Sequence, residues 1–243
     1  MIAGIELWAV VALVAAVLIG ATLQGVVGLG LGLILAPVTG LVAPQLLPGL
    51  ALWLAMLLPL FTLTRDWRSA DWRGLCWALA ARVPGTAIGV WLVSVLPVEA
   101  LHILVGVVVL AAVALTVRTV QLSATPVTLL GAGLISGITG TISSIGGPPL
   151  ALVYQRHATD TLRATLGVYF VLGAAMSVVG LAATGQLPAR DLMVATGLTP
   201  VVLLGFLLSG PLRRRLDHGS VRIGLLSLCA ASAAALILRS LAA

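Results

Sequence analysis

The chain has no lysine, so all thirteen of its basic residues are arginine. Charge of either sign is scarce: Asp, Glu, Lys and Arg make up 8% of the 243 residues, against 60% apolar. A water-soluble domain carries about 25% charged residues, so this composition excludes one and leaves a polytopic membrane protein. Cysteine is limited to Cys76 and Cys229. Both lie in or at the edge of apolar spans, which reads as packing thiols and excludes a disulfide framework. All seven acids (Glu6, Asp66, Asp71, Glu99, Asp160, Asp191 and Asp217) fall in loops or at span ends. No carboxylate is then left within the membrane to coordinate a cation or relay a proton, so neither a metal nor a cofactor is expected. His102 is the one imidazole inside a span, and a lone histidine there reads as a helix–helix hydrogen-bond partner. Gly-x-Ser-x-Gly and His-Glu-x-x-His are both absent, so the expectation is that the chain is not an enzyme. No basic helix or aromatic–basic platform suggests nucleic acid; the arginines are expected to face the cytoplasm. The first twenty residues carry Glu6 and no basic n-region, so no cleaved signal peptide is expected.

What the chain has in quantity is glycine, 27 residues, together with 12 prolines. From Gly133 to Tyr154 it reads GLISGITGTISSIGGPPLALVY, apolar enough for a transmembrane helix yet interrupted by Gly137, Gly140, Gly146 and Gly147. Pro148 and Pro149 follow at once. Proline lacks the backbone donor and clashes with the preceding turn, so a helix arriving from Gly133 cannot continue through Gly146–Pro149. Unwound backbone at membrane depth is tolerated only where protein or a water-filled cavity solvates it. Transporters use such broken helices to build substrate sites near the midplane. A second stretch, Gly20–Pro37, repeats the pattern with Gly25, Gly28, Gly30 and Gly32. Downstream, Pro84 and Gly89 are spaced as Pro200 and Gly205 are. This ordered set predicts an internal duplication, 1–120 and 121–243. Small-residue helix packing is the competing reading of the glycines, but it does not call for Gly-Gly-Pro-Pro.

Leu7–Leu41 is the first apolar block. As one helix it would run roughly 52 Å against a hydrocarbon core of roughly 30 Å, so it must break or fold back. The remaining spans are Gln45–Thr64, Gly74–Leu96, Val98–Val117, Val127–Tyr154, Ala164–Thr184, Asp191–Ser209 and Ile223–Leu238. Polar loops are expected at Arg65–Arg73, Gln155–Arg163 and Pro211–Arg222, and Gln121–Pro126 links the halves. If each broken segment crosses once, the loop arginines divide evenly between the two sides, against the positive-inside rule. If each returns to its side of entry, only Arg190 and Arg239 lie outside. The expected architecture is therefore an all-α polytopic membrane protein of about eight transmembrane segments, two of them glycine/proline-broken and re-entrant, in two inverted repeats.

With no acid in the membrane, the groups left to hold a substrate are neutral donors and freed backbone. Thr22, Gln24, Ser136, Thr139, Thr141, Ser143 and Ser144 supply the donors. The breaks supply N–H groups and the positive ends of half-helices, which suit an anion. Arg82, just before Pro84, is the one charge inside a span. It is read either as functional or as snorkelling to the interface.

In these glycine motifs the sequence resembles the TauE/SafE family of sulfite exporter-like permeases. The resemblance rests on Gly25-Val-Val-Gly28-Leu-Gly30-Leu-Gly32 with Pro37, on Gly137-Ile-Thr-Gly140 through Ile145-Gly146-Gly147-Pro148-Pro149, and on Pro84-Gly85 with Gly89. The first motif has Gly30-Leu-Gly32 where the family's usual run is Gly-Gly-Gly. The resemblance implies movement of sulfite, an organosulfonate or a similar small oxyanion across the cytoplasmic (inner) membrane without ATP hydrolysis, with export the favoured direction. Gln24, Gly28, Gly30, Gly32, Arg82, Thr139, Ser143, Ser144, Gly146, Gly147 and Pro148 are the expected substrate-binding residues. Besides the anion and membrane lipids, a homo-oligomer is left open. A non-transporting membrane scaffold is the alternative, and an intramembrane enzyme a more distant one.

Overall fold

The computed structural model describes residues 6–27, 30–117, 122–215 and 218–242. Among them every regular element is helical. The first broken segment gives α1 (Leu7–Val27) and α2 (Leu31–Val42); then come α3 (Gly49–Asp66), α4 (Trp72–Val95) and α5 (Val98–Val117). The second gives α6 (Pro126–Ser143) and α7 (Gly147–Tyr154), followed by α8 (Thr159–Ala183), α9 (Ala189–Arg215) and α10 (His218–Ala242). Seven of these, α1, α4, α5, α6, α8, α9 and α10, are long and apolar enough to cross a membrane, and α2 and α3 are shorter apolar helices.

Local chemistry sets the helix starts. The Asp71 carboxylate caps α4 by accepting the Gly74 N–H at 3.0 Å. Thr125 and Thr128 cap α6 reciprocally, with Pro126 in the first turn, where its missing donor costs nothing. Pro148 and Pro149 act in the same way. Helix α6 ends at Ser143, the break occupies 144–146, and the two prolines open α7 instead of lying in unwound chain. The expected break at Gly146–Pro149 therefore lies a few residues earlier, because proline's fixed φ suits a first helical turn. The polar loops are also shorter than expected: α8 begins at Thr159 and α9 runs to Arg215. A helix of 27 residues spans roughly 40 Å, so α9 projects past a bilayer core of roughly 30 Å.

At both breaks the chain turns back on itself. Gln24 Oε1 accepts the Leu31 N–H at 3.0 Å, and a Cβ on Gly20 would stand 3.1 Å from Leu31 Cα. Across the second break the Thr139 hydroxyl donates to the Ile145 carbonyl at 3.1 Å and the Ser136 hydroxyl to that of Gly146. The far end of α2 is held at Leu41, whose carbonyl accepts from the Arg239 guanidinium near the end of α10.

Glycine sets the closest helix contact, α4 on α6. Gly85 on α4 meets Gly137 on α6, and Gly133 on α6 meets Ala78 on α4; a Cβ on Gly133 would sit 2.1 Å from the Ala78 carbonyl, and one on Gly85 2.4 Å from that of Leu134. Four-residue spacing of small residues lets two backbones approach this closely. Helix α9 packs on α1 in the matching way, with Gly205 against Leu18 and Ala21 as Gly89 is against Ile138 and Thr141. The correspondence extends further. Helix α3 packs on α9 as α8 does on α4, and α10 on α2 as α5 does on α7. The pairs α3–α8 and α5–α10 complete the set.

Candidate functional site

A cavity of about 50 Å3 lies where the two breaks meet. By the volume one water requires, it has room for roughly three or four waters, the size of a small oxyanion. Gln24, Gly30, Gly32 and Leu33 line it from the first broken segment; Gly140, Ser144, Ile145, Gly146, Gly147 and Pro148 line it from the second. Leu52 and Ala55 of α3, Phe170 and Ala174 of α8, and Arg82 of α4 line it as well. The two breaks touch: a Cβ on Gly32 would stand 2.7 Å from the Ser144 carbonyl oxygen. Ser144 has a left-handed backbone, φ 61° and ψ 13°, where it caps α6 by donating its N–H to the Gly140 carbonyl.

Arg82 is 3% exposed. Its Nη1 donates to Ser136 Oγ at 3.1 Å, and that hydroxyl in turn donates a hydrogen bond to the Gly146 carbonyl. The guanidinium lies over the Tyr169 ring with Cζ 4.6 Å from the centroid. One helical turn on, Gly173 leaves the space the guanidinium occupies, since a Cβ there would fall 2.1 Å from Arg82 Cζ and displace it. Arg82 therefore does not snorkel; α6 and α8 enclose it. Its Nε is buried with no hydrogen-bond partner, and so is the hydroxyl of Ser144. Two buried polar atoms without partners, both on residues lining one cavity, carry a desolvation penalty of about 1–3 kcal/mol each, more for the charged one.

The half-helix ends contribute unequally. Both α2 and α7 start at the cavity, so the positive ends of their dipoles border it. In α7, however, Pro148 and Pro149 remove two of the first-turn donors, and in α2 the Leu31 N–H is already taken by Gln24. The strongest donor on offer is the guanidinium.

Of the residues expected to bind substrate, Gln24, Gly30, Gly32, Arg82, Ser144, Gly146, Gly147 and Pro148 are brought together here. Thr139 and Ser143 are not: their hydroxyls return to backbone carbonyls, Thr139 to Ile135 and Ile145 and Ser143 to Thr139. Gly28 lies outside the described residues. Tyr169, Gly173 and Phe170 were not anticipated; the only local signal was an aromatic pair followed by glycine in an apolar helix. Among the described residues no group of His, Cys, Asp and Glu is arranged to hold a metal ion.

Beyond the cavity, Asp71 joins three elements. It accepts from the Tyr154 hydroxyl at 2.8 Å, while its own N–H donates to Thr165 Oγ1 at 3.0 Å. Burial alone would raise the Asp71 carboxyl, but hydrogen bonds from Gly74 and Tyr154 and the nearby His157 hold it below its usual value. Asp191, in the first turn of α9, is buried against Gly49, where an added Cβ would come within 2.8 Å of its carboxylate. It does not line the cavity.

No curated protein and no solved structure matches the chain. A sequence model of one family, sulfite exporter TauE/SafE, matches residues 12–236. With nearly its whole length covered, and with membrane-length helices built around two glycine-broken segments, the chain belongs to the TauE/SafE sulfite exporter family and is a multi-pass membrane transporter.

Proposed function

We propose that the chain is a permease that moves a small oxyanion, sulfite or an organosulfonate, out across the cytoplasmic membrane, and that the cavity between the breaks is where the anion binds. The observation that carries this reading is the Arg82 guanidinium: a buried positive charge with an unpartnered Nε, on the wall of a cavity that two chain breaks keep open. Such a charge is costly unless an anion or a carboxylate offsets it, and no carboxylate lines the cavity among the described residues. Catalysis has no nucleophile–base pair to rest on here; the polar groups are amide, hydroxyl, guanidinium and backbone.

The paired helix contacts support reading 1–120 and 121–243 as two repeats, each beginning with a re-entrant broken segment that enters from its own face of the membrane. In that arrangement the cavity lies on the pseudo-two-fold axis, and rocking one repeat against the other would expose it to either side. Export needs no coupled cation. A monoanion leaving a negative-inside compartment gains roughly 2.3 kcal/mol per 100 mV.

Purified protein in liposomes, loaded with labelled sulfite or methanesulfonate, tests the proposal. Saturable efflux beyond that of protein-free liposomes, faster under an inside-negative potential, is expected for at least one of the two. Efflux equal to the protein-free control for both would end the permease reading.

A further inference from the structure

The cavity offers one full positive charge; the two helix N-termini that border it are depleted of donors by Pro148, Pro149 and the Gln24 contact, so little is left to offset a second negative charge. Arg82 is the only charged side chain among the described residues lining it. The elements packed around the guanidinium add no other cation at close range. Helix α6 contains no titratable residue. In α7 the only one is Tyr154, at the last position and already bonded to Asp71. Helix α8 contributes Tyr169, in contact with the guanidinium, and carries Asp160 and Arg163 only near its start. On α4 itself Arg73 and Cys76 lie in the first turns, roughly 9 Å or more back along the axis. The guanidinium is also only 3% exposed, so bulk solvent screens charge beside it poorly.

From this we infer that the site takes the singly charged, protonated form of its oxyanion and rejects the dianion of the same size. For the acid named by the family, that means hydrogensulfite and not sulfite. The inference rests on the reading of the cavity as the transport site. A monoanion is balanced by Arg82; a dianion would leave one full negative charge that no side chain balances in a space of about 50 Å3, an arrangement buried sites tolerate poorly. The acidic proton also has a place to go. The Ser144 hydroxyl lines the same wall, is buried and has no partner. It can accept that proton's hydrogen bond while Arg82 Nε donates to an anionic oxygen. The Gly146 carbonyl cannot serve as readily, being engaged by Ser136. Each transport event would then carry one negative charge and one substrate proton outward together.

Methanesulfonate and sulfate are close in size and differ in charge, which makes them the probes. In proteoliposomes, methanesulfonate should compete with labelled sulfite efflux at least about 100-fold more effectively than sulfate. Sulfite efflux at fixed total concentration should fall as pH rises through the substrate's own deprotonation. Methanesulfonate flux should stay level over the same range, which separates titration of the substrate from titration of the protein. Equal competition by sulfate, or sulfite flux that rises with pH, would overturn the charge preference while leaving transport intact. Absence of protein-dependent flux for every anion would instead overturn the transport reading, and the charge preference with it.

Discussion

Replacing Arg82 with glutamine removes the one fixed charge from the cavity wall while keeping an amide able to donate to an oxyanion. The guanidinium has two occupied contacts, Ser136 at 3.1 Å and the Tyr169 ring at 4.6 Å, and one buried donor, Nε, without a partner. A hydrogen bond to a charged group is worth ~1.5–3 kcal/mol, so the half-saturating concentration for sulfite should rise roughly ten- to a hundred-fold. Arg82→Lys should recover only part of this. An ammonium restores the charge but not the planar fork, and it cannot both hold Ser136 and present a second donor along the Nε direction. It also stacks less well on the tyrosine. The assay is sulfite flux against concentration in proteoliposomes, normalised to folded, inserted protein, because loss of the guanidinium also empties space beside Gly173 and lowers yield. An unchanged half-saturation in Arg82→Gln would refute the binding role. Lysine serving as well as arginine would refute the fork.

Other perturbations read other parts of the structure. Gly32→Val places a side chain where even a Cβ would lie 2.7 Å from the Ser144 carbonyl, so transport should be lost; normal flux would show that the two breaks separate freely. Gly85→Leu drives a larger group into the Leu134 carbonyl, 2.4 Å from the first added carbon, and should reduce yield of folded protein several-fold, as seen by gel filtration in detergent. Because the Asp71 carboxyl is held below its ordinary value of 3.8, its ionised form stabilises the fold at neutral pH, and that contribution is lost as pH falls through the lowered value. Thermal unfolding of Asp71→Asn should therefore show a lower midpoint at neutral pH and a shallower acid decline than wild type; parallel curves would contradict this. In a Cys76→Ser background, Ser69→Cys should resist an impermeant thiol reagent in intact cells while Thr184→Cys reacts. The opposite pattern would reverse the orientation inferred from the arginines.

Much of the helical layout could be read from sequence because apolar runs and their punctuation are local. Val98–Val117 is bounded by Pro97 on one side and the end of hydrophobic sequence on the other, and α5 has those limits. The second break falls within its glycine-rich stretch because a helix arriving at Gly146–Pro149 cannot continue, although the prolines proved to open the next helix; the first break has only glycine to mark it, since Pro37 lies inside α2. Hydroxyls were harder to place. Thr139 and Ser143 look like site donors in one dimension, but in an apolar helix a hydroxyl's nearest acceptor is the carbonyl one turn back, and both bond there. The surroundings of Arg82 were not legible at all. Tyr169 and Gly173 reach it only through the register of α8 against α4, a contact nearly ninety positions apart in the chain that local pattern does not encode.

The location of the bound anion is the central claim, and selenite, a heavier analogue of sulfite, makes it directly visible. Crystals of the wild-type protein grown with selenite should show an anomalous selenium peak in the cavity between the breaks, within hydrogen-bonding reach of Arg82 Nε and the Ser144 hydroxyl. The peak should be absent from Arg82→Gln crystals at the same concentration. A selenium peak elsewhere in the protein, with this cavity empty at concentrations that saturate flux, would contradict it.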